Sequence, residues 1–408
     1  MTDSPSIATL LTVPTLAANG RSQLTVGLQL SDGQQFWADC VAVPAASRLE
    51  DTAVFDPIQA ANHVKNLVQP LWQDQPATAF RPLAQMLLPL KESYNFTRTI
   101  APQPQPAAGT VTRRGLITGF LAEEEVPEPR LEEVTIERPL HPALQYGLTA
   151  ALLRAVAAVN RESIAALVAR EYEETLAETA VPLQIALDDD TIQTARTILT
   201  THVASLGYTT SKNNHKAMLG ANGERLQRHV RQIAAWLPTV NAAFQPTIHL
   251  NLQDSFRVLF DNDEGKVLGA LVGLEQAAKP FTLHIQNPVW QDSCEAQVKS
   301  LQKLKGYLAF RRLNLKLVAD AWADSLADVT EFANSEVCHM VHVELPRLGN
   351  LEVGITAVSY LKSQNQSVLL SGKDNSLTTH IALATTPTIL SGSPQLHYSE
   401  MQKILKVL

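Results

Sequence analysis

The chain has 408 residues, 45% of them hydrophobic and 18% charged, with a formal net charge of −7. That length accommodates two folded domains or one barrel with a cap, and 40 acidic against 33 basic side chains exclude the electrostatic footprint of a nucleic-acid binder. Three cysteines, Cys40, Cys294 and Cys338, odd in number and far apart, exclude a disulfide framework or a zinc site and are expected as buried small hydrophobes.

The opening MTDSPSIATLL has no basic stretch ahead of an apolar one, so no secretion signal is expected. Residues 23–43 alternate apolar and polar (Leu24, Val26, Leu28, Leu30, then Phe36, Ala38, Cys40, Ala42) around Ser31-Asp32-Gly33, which predicts a β-hairpin with glycine in the turn. From Asp56 to Leu90 apolar residues return every three to four positions, with Pro70, Pro76 and Pro82 as punctuation, which predicts short helices. A small α+β domain follows from these two segments. Residues 96–140 break the pattern with clustered prolines and acidic runs, including Glu123-Glu124-Glu125, and read as a surface excursion.

A helix is predicted from Pro142 to Asn160 and another from Ser163 to Thr175. The most apolar stretch, Leu148–Val159, is interrupted by Arg154, so no membrane span is expected and the protein is expected to be soluble and cytoplasmic. Beyond Val181, strand-like runs at 247–252, 281–286, 315–320, 340–345 and 367–372 alternate with helical runs at 222–237, 291–310, 324–334 and 350–364. Nearly continuous apolar strands separated by helices are parallel strands buried on both faces. The expected fold is α/β: an α+β cap over residues 1–155, with the excursion at 96–140, and a (β/α) barrel over 156–408 whose site lies at the strand C-termini.

The blocks HPALQYGLTAALLRAVAAVNRESIAALVAREY, GANGERL, FQPTIHLNL, FTLHIQNPV, LKLVADAWADSLADV and CHMVHVELPRLGNL resemble, in order, those of methylaspartate ammonia-lyase, a member of the enolase superfamily. The resemblance implies a cap over a modified TIM barrel, and a reaction in which a base removes a proton beside a carboxylate while Mg²⁺ holds the enolate. Charge developing on those oxygens requires such a cation. In the family pattern three carboxylates hold the metal; the matching residues here are Asn251, Gln286 and Asp320. Two neutral amides in place of two carboxylates remove most of the attraction for a hard divalent ion. No cofactor is therefore expected, and Asp320 is the one residue left as a metal ligand should Mg²⁺ bind. Glu344 stands where the family has its catalytic lysine, and Arg347 where it has an aspartate. The family's second acid/base, a histidine, would fall near 208–210, where none is found, and His215 is out of register. Ala186 matches the family's substrate-contacting glutamine.

The strand ends nevertheless stay polar. Glu344, Lys373, Asp320 and His342 are the candidate catalytic residues, and Asn251, Gln286, Asp374 and Asn375 the candidate substrate-binding residues. Lys373 is either a base or carbonyl-binding amine, or a salt-bridge partner of Glu344 or Asp374, and Glu344 either a base or that partner. His342 and His284 point into the barrel if the alternation holds, where a core role competes with a catalytic one. His249 is expected deep in the barrel, and His339 to be structural. Fold alone does not transmit function, so two classes stay open. One is a diverged, metal-independent lyase, cyclase or isomerase acting on a small amino-acid-derived or carboxylate substrate. The other is a non-catalytic descendant binding a small ligand or a partner protein. A Mg²⁺-dependent methylaspartate ammonia-lyase is the third reading, and a homodimer is compatible with the fold.

Overall fold

Alternating side chains in the first forty residues build a three-stranded antiparallel sheet, β1 (Ile7–Leu16), β2 (Ser22–Leu30) and β3 (Gln35–Cys40). The turn between β2 and β3 carries Gly33 at φ 88°, a conformation that glycine adopts without steric cost. The computed structural model describes residues 4–16, 22–44, 55–100, 130–187, 191–210, 218–261 and 263–407. His215 and the acidic run at 123–125 lie outside the described residues. The predicted helical segment forms short helices, among them Pro57–His63 and Phe80–Gln85. Leu24, Val26 and Leu28 of β2 are buried with Trp72 and Phe80 in the core, and Trp72 Nε1 donates to Leu83 O at 3.0 Å.

Helix Pro142–Asn160, long and apolar enough to cross a membrane, is buried along most of its length within the fold. It packs on β2 and β3, and it runs unbroken through position 155. The described parts of 1–90 and 140–408 form one compact unit, and those of 91–139 a second. That second unit is an antiparallel hairpin, β4 (Lys91–Ile100) with β5 (Arg130–Pro139), closed near its base by Arg138 on Glu92 at 2.5 Å. Paired strands at both ends of the excursion were not legible in its proline-rich composition.

Eight parallel strands close the barrel: β6 (Leu183–Ala186), β7 (Val203–Thr209), β8 (Thr247–Asn251), β9 (Leu283–Gln286), β10 (Leu315–Ala319), β11 (Met340–Glu344), β12 (Ser367–Ser371) and β13 (Ile389–Ser391). The five strands read from sequence are present, and β6, β7 and β13 complete the ring. The interior is divided. Val318, Met340, Leu369 and Ile389, from four consecutive strands, form a small apolar cluster of their own, whereas Gln184, Ser205, His249, His284 and Gln286 are buried polar side chains contributed by the other four. An interior of that kind needs internal hydrogen-bond partners. The cap is tied to the barrel through Asn350, whose Nδ2 donates to Ala84 O at 2.8 Å, and through Leu351 N, which donates to Thr149 Oγ1 at 3.1 Å.

Candidate active site

The C-terminal ends of the strands surround a cavity of about 240 Å³ lined by Gln184, Tyr208, Thr209, His249, Asn251, Gln286, His342, Glu344, Leu369, Ser371, Gly372, Lys373, Ser391 and Gly392. Seven of the eight barrel strands contribute to it directly or through the residue that follows. The eighth, β10, contributes through Asp320, the residue after its end, which is buried behind His342.

Asp320 is the centre of the polar network. Its Oδ1 accepts from Arg347 Nη1 at 2.6 Å and faces His342 Nδ1 at 2.8 Å, and its Oδ2 accepts from Asn287 Nδ2 at 2.9 Å. Burial opposes its ionisation, but the Arg347 guanidinium and His342 outweigh that and hold its carboxyl well below the usual carboxylate range. Arg347 also donates through Nη2 to Glu344 Oε2 at 2.6 Å. Burial disfavours its charge, yet the carboxylates of Asp320 and Glu344 keep it firmly protonated. Arg347 reaches both because the chain turns sharply after β11 into the four-residue helix Leu345–Leu348, which sets Arg347 one turn beyond Glu344. Glu344 is thus paired with Arg347, and the pair anticipated between Glu344 and Lys373 is not formed. Lys373 is exposed at the cavity mouth, and no ion pair reaches it among the described residues.

His342 links the mouth to this buried charge. His342 Nδ1 has Asp320 Oδ1 at 2.8 Å and Gln286 Nε2 at 3.3 Å; the carboxylate is nearer and only accepts, so the imidazole proton is assigned to Nδ1 facing Asp320. Nε2 is then the acceptor, 2.8 Å from Ser371 Oγ. Beneath it, Gln286 Oε1 meets His249 Nε2 at 2.8 Å. Burial drives the pKa of His249 down to about 4 and that of His284 down to about 3, so both rings are neutral near pH 7. His339, as anticipated, is structural: its Nδ1 accepts from Leu317 N at 3.0 Å.

Asn251, Gln286, His342, Glu344 and Lys373 therefore meet in one cavity, with Asp320 directly behind. Asp374 and Asn375 do not line it. Asp374 caps helix Asn375–Thr385 by accepting from Leu377 N at 3.0 Å and pairs with Arg154 of helix Pro142–Asn160; Asn375 is the first residue of the capped helix. Of the cysteines, Cys40 and Cys338 are buried and Cys294 is half-buried.

Several lining residues escaped the sequence reading, Ser371 and Gln184 the most informative of them. Ser371, register partner of Glu344 on β12, carries no motif. Gln184 lies two residues before Ala186 and hence on the same strand face. It is 8% exposed, and its Oε1 has no hydrogen-bond partner. An ideal Cβ on Gly207 of β7 would come within 2.2 Å of Gln184 Nε2, so glycine there makes room for the amide. The period-two alternation was the signal for Gln184.

These residues offer a divalent cation few free oxygens. Every oxygen of the Asp320 carboxylate already accepts from a side chain, and its backbone carbonyl receives a longer bond from Arg347 at 3.3 Å. Asn251 Oδ1 accepts from Gln253 N at 3.0 Å, and Gln286 Oε1 faces His249. A cation in this position would have to displace a guanidinium from two carboxylates and would find neutral amides as its other donors, which is a poor fit to Mg²⁺.

The profile of the family described as "Methylaspartate ammonia-lyase C-terminus" matches residues 175–406. "Methylaspartate ammonia-lyase 2" of Carboxydothermus hydrogenoformans is 30% identical over 292 residues, which cover 68% of this chain and 70% of that protein. Among solved structures, the Citrobacter amalonaticus methylaspartate ammonia lyase containing (2S,3S)-3-methylaspartic acid superposes with a TM-score of 0.77 at 21% identity, covering 98% of this chain and 99% of that one. The magnesium complex of beta-methylaspartase from Clostridium tetanomorphum gives 0.71 at 21% identity, covering 98% and 97%. At those identities the two structures share the fold.

Proposed function

This chain belongs to the methylaspartate ammonia-lyase family, and we propose that it is a diverged member that works without Mg²⁺, as a lyase, cyclase or isomerase on a small carboxylate or amino-acid-derived substrate other than 3-methylaspartate. The observation that carries the reading is Arg347. Its guanidinium joins Asp320 to Glu344 at 2.6 Å each, so the positive charge next to the retained carboxylate comes from the protein itself. In that arrangement Glu344 is engaged by Arg347, and His342, with Nε2 facing the cavity side, is the group suited to proton transfer. Lys373 at the mouth and the side chain of Asn251, whose Nδ2 remains a donor, would hold a substrate carboxylate. The unpartnered Gln184 Oε1 in the cavity wall favours a site that receives a polar ligand over a relic.

Purified protein incubated with 3-methylaspartate and about 1 mM Mg²⁺ is expected to release ammonia no faster than a no-enzyme control. The single variant Glu344→Lys should not restore activity, since it adds a lysine beside Arg347 and leaves one carboxylate for a metal. Turnover of 3-methylaspartate by the unmodified protein well above the control would overturn the proposal.

A further inference from the structure

We propose that Ser371, His342 and Asp320 form a nucleophile–base–orienter chain, giving the barrel mouth an acyl-transfer activity toward short esters or thioesters that carry a carboxylate. This goes beyond the function proposed above and shares with it only the premise that the mouth is catalytic. The three residues come from three consecutive strands: Ser371 ends β12, His342 lies within β11, and Asp320 follows β10. Ser371 Oγ lies 2.8 Å from His342 Nε2, and His342 Nδ1 lies 2.8 Å from Asp320 Oδ1. Such a chain is recognised by geometry and roles, since unrelated folds carry it in different sequence orders. Here the order along the chain is Asp, His, Ser.

Each part is fitted to its role. Asp320 is buried and anchored by Asn287 as well as by Arg347, so it holds the imidazole in one orientation and acts on the reaction only through it. Ser371 lines the cavity, where a substrate carbonyl can reach it, and is half-buried. The backbone N–H groups of Gly372 and Lys373 follow the serine directly, the position from which a donor after the nucleophile can meet an oxyanion. The exposed Lys373 ammonium on the same rim suits a substrate bearing a carboxylate, and a cavity of about 240 Å³ suits a short acyl chain.

The steps balance without any redox partner. Ser371 Oγ bonds to the acyl carbon as its proton passes to His342 Nε2, and the carbonyl electron pair moves onto oxygen. When the pair returns, the bond to the leaving alcohol or thiol breaks, and that group takes the proton from His342. Water, the co-reactant, then gives a proton to His342 and attacks the acyl carbon. Ser371 Oγ departs and recovers the proton, leaving a free acid.

A fluorophosphonate probe followed by peptide mass spectrometry tests the assignment. Ser391 lines the same cavity and Ser376 is exposed with its hydroxyl on Glu400; among the described residues neither is hydrogen-bonded to a histidine, so both serve as internal controls. The expected result is one adduct per chain, on Ser371 and on neither control. Labelling should be absent in Ser371→Ala and slowed at least 100-fold in His342→Asn, while p-nitrophenyl acetate gives an acyl-enzyme burst in the unmodified protein alone. Because His342→Asn can fail to fold, the internal comparison of Ser371 with Ser391 decides the matter by itself. No adduct, or equal labelling of the two serines, overturns the inference. Neither result touches the metal-free reading, which is tested by Mg²⁺ titration and by ammonia release from 3-methylaspartate.

Discussion

Replacing Arg347 with methionine is expected to lower the stability of the fold by about 3–5 kcal/mol, the usual cost of removing one partner from a buried charge pair. Asp320 is buried and Glu344 mostly so, with side chains 8% and 16% exposed, and Arg347 meets both at 2.6 Å. Its removal leaves both carboxylates without the cation they share. The double variant Arg347→Met/Asp320→Asn should recover most of the loss, because the more deeply buried negative charge goes with its partner. The acid limb should change as well. A carboxyl whose folded-state pKa is depressed contributes stability above the ordinary carboxylate value of about 3.9, and that contribution is lost as pH falls from there toward the folded value. Asp320 gives the unmodified protein such a loss below about pH 4, and the double variant should lack it. Urea denaturation of the three proteins at pH 7 and at pH 3.5 measures both effects. A single-variant loss under about 1 kcal/mol would mean that the bridge does not anchor the mouth.

A second large effect lies at milder acidity. His249 and His284 are held neutral by burial, with pKa values near 4 and 3 against an unfolded value of about 6.5. Below pH 6.5 the unfolded chain therefore binds protons that the folded chain refuses. Stability rises with pH across this window, and it is lost on acidification from pH 6.5 toward 4 at roughly 1.4 kcal/mol per unit for each histidine. Burial shifts His339, His380 and His397 in the same direction. His284 is the histidine to remove: it is 5% exposed and its Nδ1 has no hydrogen-bond partner, so His284→Leu gives up an unsatisfied polar atom. The variant should be at least as stable as the parent at pH 7 and should flatten the slope between pH 6.5 and 4 by about 1.4 kcal/mol per unit. An unchanged slope would show that His284 is charged inside the barrel.

The barrel was legible where apolar runs were nearly continuous and flanked by helical segments, as in Thr247–Asn251 and Ser367–Ser371. Ile389–Ser391 was missed because three residues carry too little pattern, and Leu183–Ala186 because its short run is interrupted by the polar Gln184. Val203–Thr209 was missed through Gly207, a poor strand former retained for the space it leaves to Gln184. For the site, strand-end position was enough to gather Asn251, Gln286, His342 and Glu344, because parallel strands of a barrel present their C-terminal residues to one mouth. It could not supply partners. Asp374 sits beside Lys373 in sequence, yet the start of a helix turns it to the cap and Arg154. Arg347 was noted only as a departure from the family pattern, and its place between two carboxylates depends on the short helix after β11. Ser371 belongs to the site by register alone.

The metal-free reading we propose has the Arg347 guanidinium, bonded to Asp320 and Glu344, take the part of a divalent cation. Calorimetric titration of the purified protein with Mg²⁺ tests it most directly. With Arg347 on both carboxylates and amides at positions 251 and 286, the account predicts no binding heat below about 1 mM Mg²⁺ and a melting temperature that neither Mg²⁺ nor EDTA moves, since a ligand below its Kd adds little to stability. A site with submicromolar or low-micromolar Kd that Asp320→Asn abolishes would contradict it.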